Sequence, residues 1–122
     1  PNAPARLVRV AEVSFALPAA AIALVQTEIS LGSDPKQVDI LVEATAVDGL
    51  HARINRLLDG RYIITDIASA AGTWVNFALV PPHGTLLEHG DLVHLGREVF
   101  RFELKNPPAP RQLKVTSVQE DA

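Results

Sequence analysis

Ser69, His51 and Asp66 supply a hydroxyl, an imidazole and a carboxylate. Nucleophilic acyl transfer uses that set, and such a triad is defined by geometry rather than by chain order. The local signals of catalysis are nevertheless missing: no G-x-S-x-G turn encloses a serine, and neither a P-loop nor a strand-borne G-x-G-x-x-G occurs. His83, His89 and His94, with Glu88 and Asp91 between them, are the residues a zinc site would draw on. No two histidines stand at i, i+4 on a helix or in an H-x-E setting, so separate turns and strands would have to converge on one ion. There is no cysteine, which removes thiolate ligands and disulfides alike. The expectation is no enzyme, no catalytic residue, no metal and no cofactor.

The elements that would position these residues are short and β-like. Residues 51–57 (HARINRL) and 61–67 (RYIITDI) alternate apolar and polar side chains, joined by Leu58-Asp59-Gly60. Asp-Gly between two such runs predicts a hairpin. A second turn at 68–72 leads to a third run, TWVN, so a meander of antiparallel strands is expected here. Leu7, Val8 and Val10 form a first run and residues 13–17 another, stopped by Pro18. Residues 19–30 (AAAIALVQTEIS) favour a helix by propensity alone. Residues 38–42 form a brief strand, Val80-Pro81-Pro82-His83-Gly84 forbids regular structure, and 88–91 is a turn. A closing hairpin runs over 92–95 and 98–104. Many short strands separated by turn residues predict a β-sandwich.

The 122 residues suit one domain with its own core. Eleven basic against 14 acidic residues give a formal charge of −3, which argues against nucleic acid as a partner. Residues 13–27 carry no charge but are interrupted by Pro18, and about 20 apolar residues are needed to span a membrane. Buried strands are preferred there over a signal segment, and no membrane contact is expected. The first residue is Pro1, so the chain is read as a piece of a longer protein. Residues 106–110 (NPPAP) read as an extended linker. The tail beyond is read as either disordered or one added edge strand around 113–118.

The central stretch resembles bacterial forkhead-associated (FHA) domains, whose core reads V-S-R-x-H-A-x-I followed by D-L-x-S-x-N-G-T-x-V-N. Residues 47–54 are VDGLHARI and residues 66–76 are DIASAAGTWVN. Residues 29–33 (ISLGS) resemble the family strand that ends in Gly-Arg, and residues 87–96 (LEHGDLVHLG) its closing L-x-x-G-D-x-I-x-L-G. The resemblance spans roughly residues 6–104. It implies an all-β fold, an FHA-like antiparallel β-sandwich of about eleven short strands, over residues 1–104, with 105–122 as linker and tail. It also implies strands at 22–25 and 28–32 in place of the helix.

Family members typically bind phosphothreonine peptides through loops at one end of the sandwich. The resemblance maps the family's phosphate-pairing Arg to Ser33, its phosphate-binding Ser to Asp48 and its peptide-holding Asn to Ala71, with Gly49 and Ala70 at the neighbouring positions. Hydrogen bonds to a charged group contribute roughly 1.5–3 kcal/mol each, so losing two weakens binding by about a hundredfold or more. Asp48 would also face a phosphate of about −1.5 to −2 charges. Lys36 is the one cation well placed to compensate, since Arg53 and Arg56 lie on or beyond a strand. Gly32, His51, Gly72, Thr73 and Asn76 are expected to support the loop end, with His51 holding the 47–50 turn through a ring nitrogen. Ser69 lies in the binding loops, and Trp74 and Phe77 are candidates for an apolar partner surface. Phe77 occupies a position where the family usually has Gly. The expected function is a non-catalytic protein–protein interaction module of a larger bacterial signalling or scaffold protein, cytoplasmic, with phosphothreonine recognition lost or weakened. The alternative is a phosphothreonine-peptide binder using backbone groups and Lys36.

Overall fold

Alternating burial sets the two faces of nearly every strand. The computed structural model describes residues 3–10 and 21–108. Eleven strands lie among them: β1 (Ala5–Val10), β2 (Ala21–Leu24), β3 (Glu28–Gly32), β4 (Ile40–Leu41), β5 (Ala52–Arg56), β6 (Tyr62–Asp66), β7 (Thr73–Val75), β8 (Ala78–Leu79), β9 (Thr85–Leu87), β10 (Leu92–Leu95) and β11 (Glu98–Leu104). One sheet runs β2-β1-β11-β10-β7-β8 and the other β4-β3-β5-β6-β9. Every pairing is antiparallel except β3 with β4. Leu7, Val93, Leu95, Phe100 and Phe102 from the first sheet meet Ile29, Leu31, Ile54, Tyr62 and Ile64 from the second in one buried core. Fully burying each large side chain contributes about 1.5–3 kcal/mol. Tyr62 and Phe102 lock the layers edge to face, their ring centroids 5.3 Å apart.

The all-β sandwich therefore matches the sequence-based expectation, including strands at 21–24 and 28–32 where local propensity favours helix. Leu24, Ile29 and Leu31 are buried there, and tertiary burial overrides a preference of a few tenths of a kcal/mol per residue. The predicted meander needs one correction. β5 and β6 do form a hairpin, but β7 does not continue it. β7 pairs with β10 and β8 in the opposite sheet, and the free edge of β6 takes β9 instead. Ala68 at φ 48 and Gly72 at φ 86 turn the chain across the sandwich between them. The predicted strand at 13–17 and the tail segment 113–118 lie outside the described residues. Among the described residues no helix is long and apolar enough to cross a membrane.

Candidate loop-end binding site

The segments after β3, before β5 and between β6 and β7 converge at one end of the sandwich. Ser33 N–H donates to Asp48 O (2.9 Å) and Asp34 N–H to Gly49 O (3.2 Å), which zips the first two together. That approach needs Gly32: a Cβ there would lie 2.1 Å from Gly49 O, inside any allowed contact.

His51 sits beneath, fully buried. Its Nδ1 accepts the Asp48 N–H (3.0 Å) and its Nε2 lies 2.9 Å from Gly72 O. An acceptor Nδ1 fixes the neutral tautomer with the proton on Nε2, donated to Gly72 O. One imidazole thus ties the second loop to the third. Thr73, also fully buried, donates its hydroxyl to Asp66 Oδ1 (2.6 Å), and Ser69 Oγ donates to the same oxygen. Ser69 N–H donates to Asp66 Oδ2 (3.0 Å), while Ser69 Oγ accepts the Gly72 N–H (2.9 Å). Partial burial pushes the Asp66 pKa up, but these hydrogen bonds outweigh it, and Asp66 is held below the usual carboxylate value. Asn76 bridges the far end of β7, donating to Asp91 Oδ1 and accepting the Leu92 N–H, both at 2.9 Å.

The serine, histidine and aspartate that could have formed a triad are neighbours without the order it requires. Ser69 donates to Asp66 and not to His51, and His51 Nε2, already engaged by Gly72 O, is 4.0 Å from Asp66 Oδ1. A wholly buried imidazole with both nitrogens engaged does not take a proton from a substrate-facing hydroxyl. Of the histidines considered for metal, His89 Nδ1 accepts the Leu104 N–H and His94 packs under the Phe77 ring. Among the described residues no three metal-ligating side chains converge.

At the rim, the groups that would face a ligand are turned onto the chain itself. Ser33 Oγ donates inward to Val47 O (2.8 Å). Asp48 reaches across to the third loop, where its Oδ2 accepts the Ala70 N–H (3.0 Å). Asp34 accepts from the Gln37 amide (2.7 Å) and the Lys36 N–H (3.0 Å), and these bonds hold its pKa below the usual carboxylate value. Lys36 is exposed on the first loop. Arg53 pairs with Glu28 (2.9 Å) and Arg56 lies over the Tyr62 ring, 5.9 Å from its centroid, so neither turns toward the loops. Ala70 and Ala71 contribute only backbone: Ala71 O accepts the Trp74 indole N–H at 3.3 Å. Trp74 and Phe77 stand on the outer flank, not in the cleft, with Phe77 74% exposed. Asp34, not among the expected site residues, organises the first loop, as the turn chemistry of residues 32–37 allows. The Asp34-Pro35-Lys36-Gln37 run carried the signal, because an Asp side chain bonds backbone two residues on.

The FHA domain family profile matches residues 29–96, more than half of the chain. Among solved structures, the FHA domain of CT664 from Chlamydia trachomatis is 25% identical with a TM-score of 0.73, covering 81% of this chain and 95% of that one. Mycobacterium tuberculosis EmbR, in complex with a low-affinity phosphopeptide, is 22% identical (TM-score 0.72), with 84% of this chain covered but only 24% of EmbR. The FhaA FHA domain, complexed with the intracellular domain of Rv3910, is 20% identical (TM-score 0.68; 81% and 99% covered). No curated protein matches the chain. The profile match runs from β3 to β10 and includes the convergent loops, and it establishes that the chain belongs to the FHA domain family.

Proposed function

We propose that this FHA domain is a non-catalytic protein–protein interaction module of a larger bacterial signalling or scaffold protein, in which phosphothreonine recognition is lost or weakened. One observation carries the reading: the Asp48 carboxylate already accepts the Ala70 N–H. A phosphate approaching the third loop would have to displace a tethered carboxylate; it would meet Asp48 where the family offers Ser, and Asp34 beside Ser33, the position where the family offers Arg. At close range each like-charge pair is unfavourable by about 1–4 kcal/mol, and Lys36 offsets one such pair at most. The Ser33 hydroxyl, already donating to Val47 O, adds no free donor. Residues 1–104 form the domain in this reading and 105–122 its linker and tail. The net charge of −3 disfavours nucleic acid as partner. A cytoplasmic setting is proposed by analogy with FhaA, whose partner is an intracellular domain.

Calorimetric titration with matched threonine and phosphothreonine peptides tests the reading. The expected result is no preference for phosphate beyond about threefold, less than one ordinary hydrogen bond provides. Micromolar binding that vanishes on dephosphorylation would instead support a phosphothreonine binder working through Lys36 and backbone N–H groups. In the double variant Ser33→Arg with Asp48→Ser, phosphopeptide affinity should rise by about tenfold or more, through one recovered charge-assisted bond and one lost repulsion.

A further inference from the structure

On the outer face of the six-stranded sheet, Leu79, Trp74, His94 and Val99 stand directly opposite one another on β8, β7, β10 and β11. Cross-strand partners share a face, so these four make one row of side chains. At the β8 end the Phe77 ring folds back over His94, centroids 5.0 Å apart. Trp74, Phe77, His94 and Gly96 line a cavity of about 320 Å³.

Phe77 adopts φ 69 while 74% exposed. A bulky residue in the left-handed region is strained, and this one gains little burial in return. His94, in the wall of the cavity, has its Nδ1 buried with no hydrogen-bond partner among the described residues. The cavity is also continuous with the loop end: the Trp74 indole N–H donates to Ala71 O, and Gly96 N–H points at Gly72 O at 3.5 Å.

We propose that this flank is a docking site for an extended, unphosphorylated segment of a partner protein. The segment sets one bulky apolar side chain between Trp74 and Phe77 and a carboxylate beside Arg97. Arg97 is exposed on the turn after Gly96, so the bordering charge is positive. The partner segment is short and extended because of the β8 edge. Val75 and Ala78 pair across the two-residue turn and Val80 N–H donates to Thr73 O, so Leu79 directs its own N–H and C=O outward. Pro81 and Pro82 follow, without N–H groups, and block any longer pairing. Exposures of 36% for Trp74, 74% for Phe77 and 58% for Leu79 amount to roughly 300–350 Å² of side chain. A stable dimer needs about 800 Å² per partner, so a second copy of the chain fits poorly and a peptide segment well. The proposal rests on the chain being an interaction module, but not on loss of phosphate recognition.

The test is selection of the full chain against a phage-displayed library of unphosphorylated linear peptides, followed by NMR titration with the enriched peptide. Enriched sequences should share a bulky apolar residue beside Asp or Glu, and shifts should centre on the Trp74 indole, His94 and Arg97. Phe77→Gly relaxes the turn and so preserves the fold, yet it should weaken binding by about tenfold. Arg97→Glu should weaken it by about threefold. The proposal is overturned if no apolar position is shared, if Phe77→Gly binds as tightly as the parent, or if shifts map to Ser33, Asp48 and Ala70. It is equally overturned if the chain dimerises and Phe77→Gly abolishes the dimer. A phosphothreonine peptide bound at the loops would defeat the proposed loss of phosphate recognition while leaving this flank site standing.

Discussion

His51 and Asp48 are three residues apart and share a hydrogen bond, yet one is wholly buried while the other stands at the rim. Beneath the loops, His51, Asp66, Thr73 and Gly32 make contacts that water cannot replace. At the rim, Asp48 makes a bond of similar length to the exposed Ala70 N–H, which water could reach, and the Ser33 hydroxyl bonds the Val47 carbonyl. The difference teaches that the positions ordering the backbone are separate from those at the rim, so that rim side chains can vary without loss of the loops. It also yields a graded set of expectations, in which substitutions in the lower layer are costly to folding and those at the rim are not.

His51→Ala should have the largest effect. It leaves the Asp48 N–H without its partner and the Gly72 carbonyl with only the long 3.5 Å bond from Gly96 N–H, and it opens a cavity beside the core. Each unsatisfied buried group costs about 1–3 kcal/mol, so a loss of about 4 kcal/mol is expected from urea midpoints. A loss under about 1 kcal/mol, the range of an ordinary surface substitution, would abolish the distinction between layers. Gly32→Ala comes next. Its Cβ would meet Gly49 O at 2.1 Å and Asp48 O at 2.9 Å, both backbone atoms that can yield only by unzipping the first two loops. Overpacking of this kind costs about 3 kcal/mol, and amide exchange at Ser33 and Asp34 should accelerate along with it.

Asp66 occupies the boundary between the layers, and pH addresses it directly. A carboxylate whose folded pKa is depressed contributes stability that is present above its unfolded value of about 3.9 and is lost as pH falls through the folded value. The reason is that the unfolded chain binds the proton first. Stability of the parent should therefore fall as pH drops below about 4, and in Asp66→Asn this part of the decline should be missing. At neutral pH the same variant should lose about 2 kcal/mol, since a neutral acceptor holds the Ser69 and Thr73 hydroxyls less strongly. Urea midpoints from about pH 6 to about pH 2 read both effects; parallel profiles for the two proteins would remove Asp66 from the supporting layer.

Parts of the lower layer were legible in the sequence because they are locally distinctive, a His entering a strand and a Gly-Thr after a turn, as was the Asp-Gly of the β5–β6 hairpin at the other end of those strands. β8 and β9 were not, since two and three residues carry no readable period. The crossing of β7 to the far sheet was hidden for another reason, as its partner β10 begins only at Leu92. At the rim, the proposed replacement of the family's Arg, Ser and Asn rests on residue types alone. Capture of the Ala70 N–H by Asp48 could not be read from them, because it joins residues 22 positions apart through a fold that must already exist. The left-handed turn at Asn76 and Phe77 lies in between: Asn signals it, but a phenylalanine at φ 69 contradicts every local preference.

Asp48→Asn isolates the rim with the smallest perturbation. The amide oxygen can still accept the Ala70 N–H, so the strap between the second and third loops persists while its charge is gone. Neutral hydrogen bonds at exposed positions differ little from charged ones once water screens them, and stability should stay within about 0.5 kcal/mol of the parent. The anion chemistry of the loop end should respond instead: one of two carboxylates facing an incoming phosphate disappears, and phosphothreonine-peptide affinity should rise by about threefold to tenfold. A large stability loss with unchanged affinity would reverse the assignment, making Asp48 a member of the supporting layer and leaving the Lys36 loop as the only determinant of what the rim can bind.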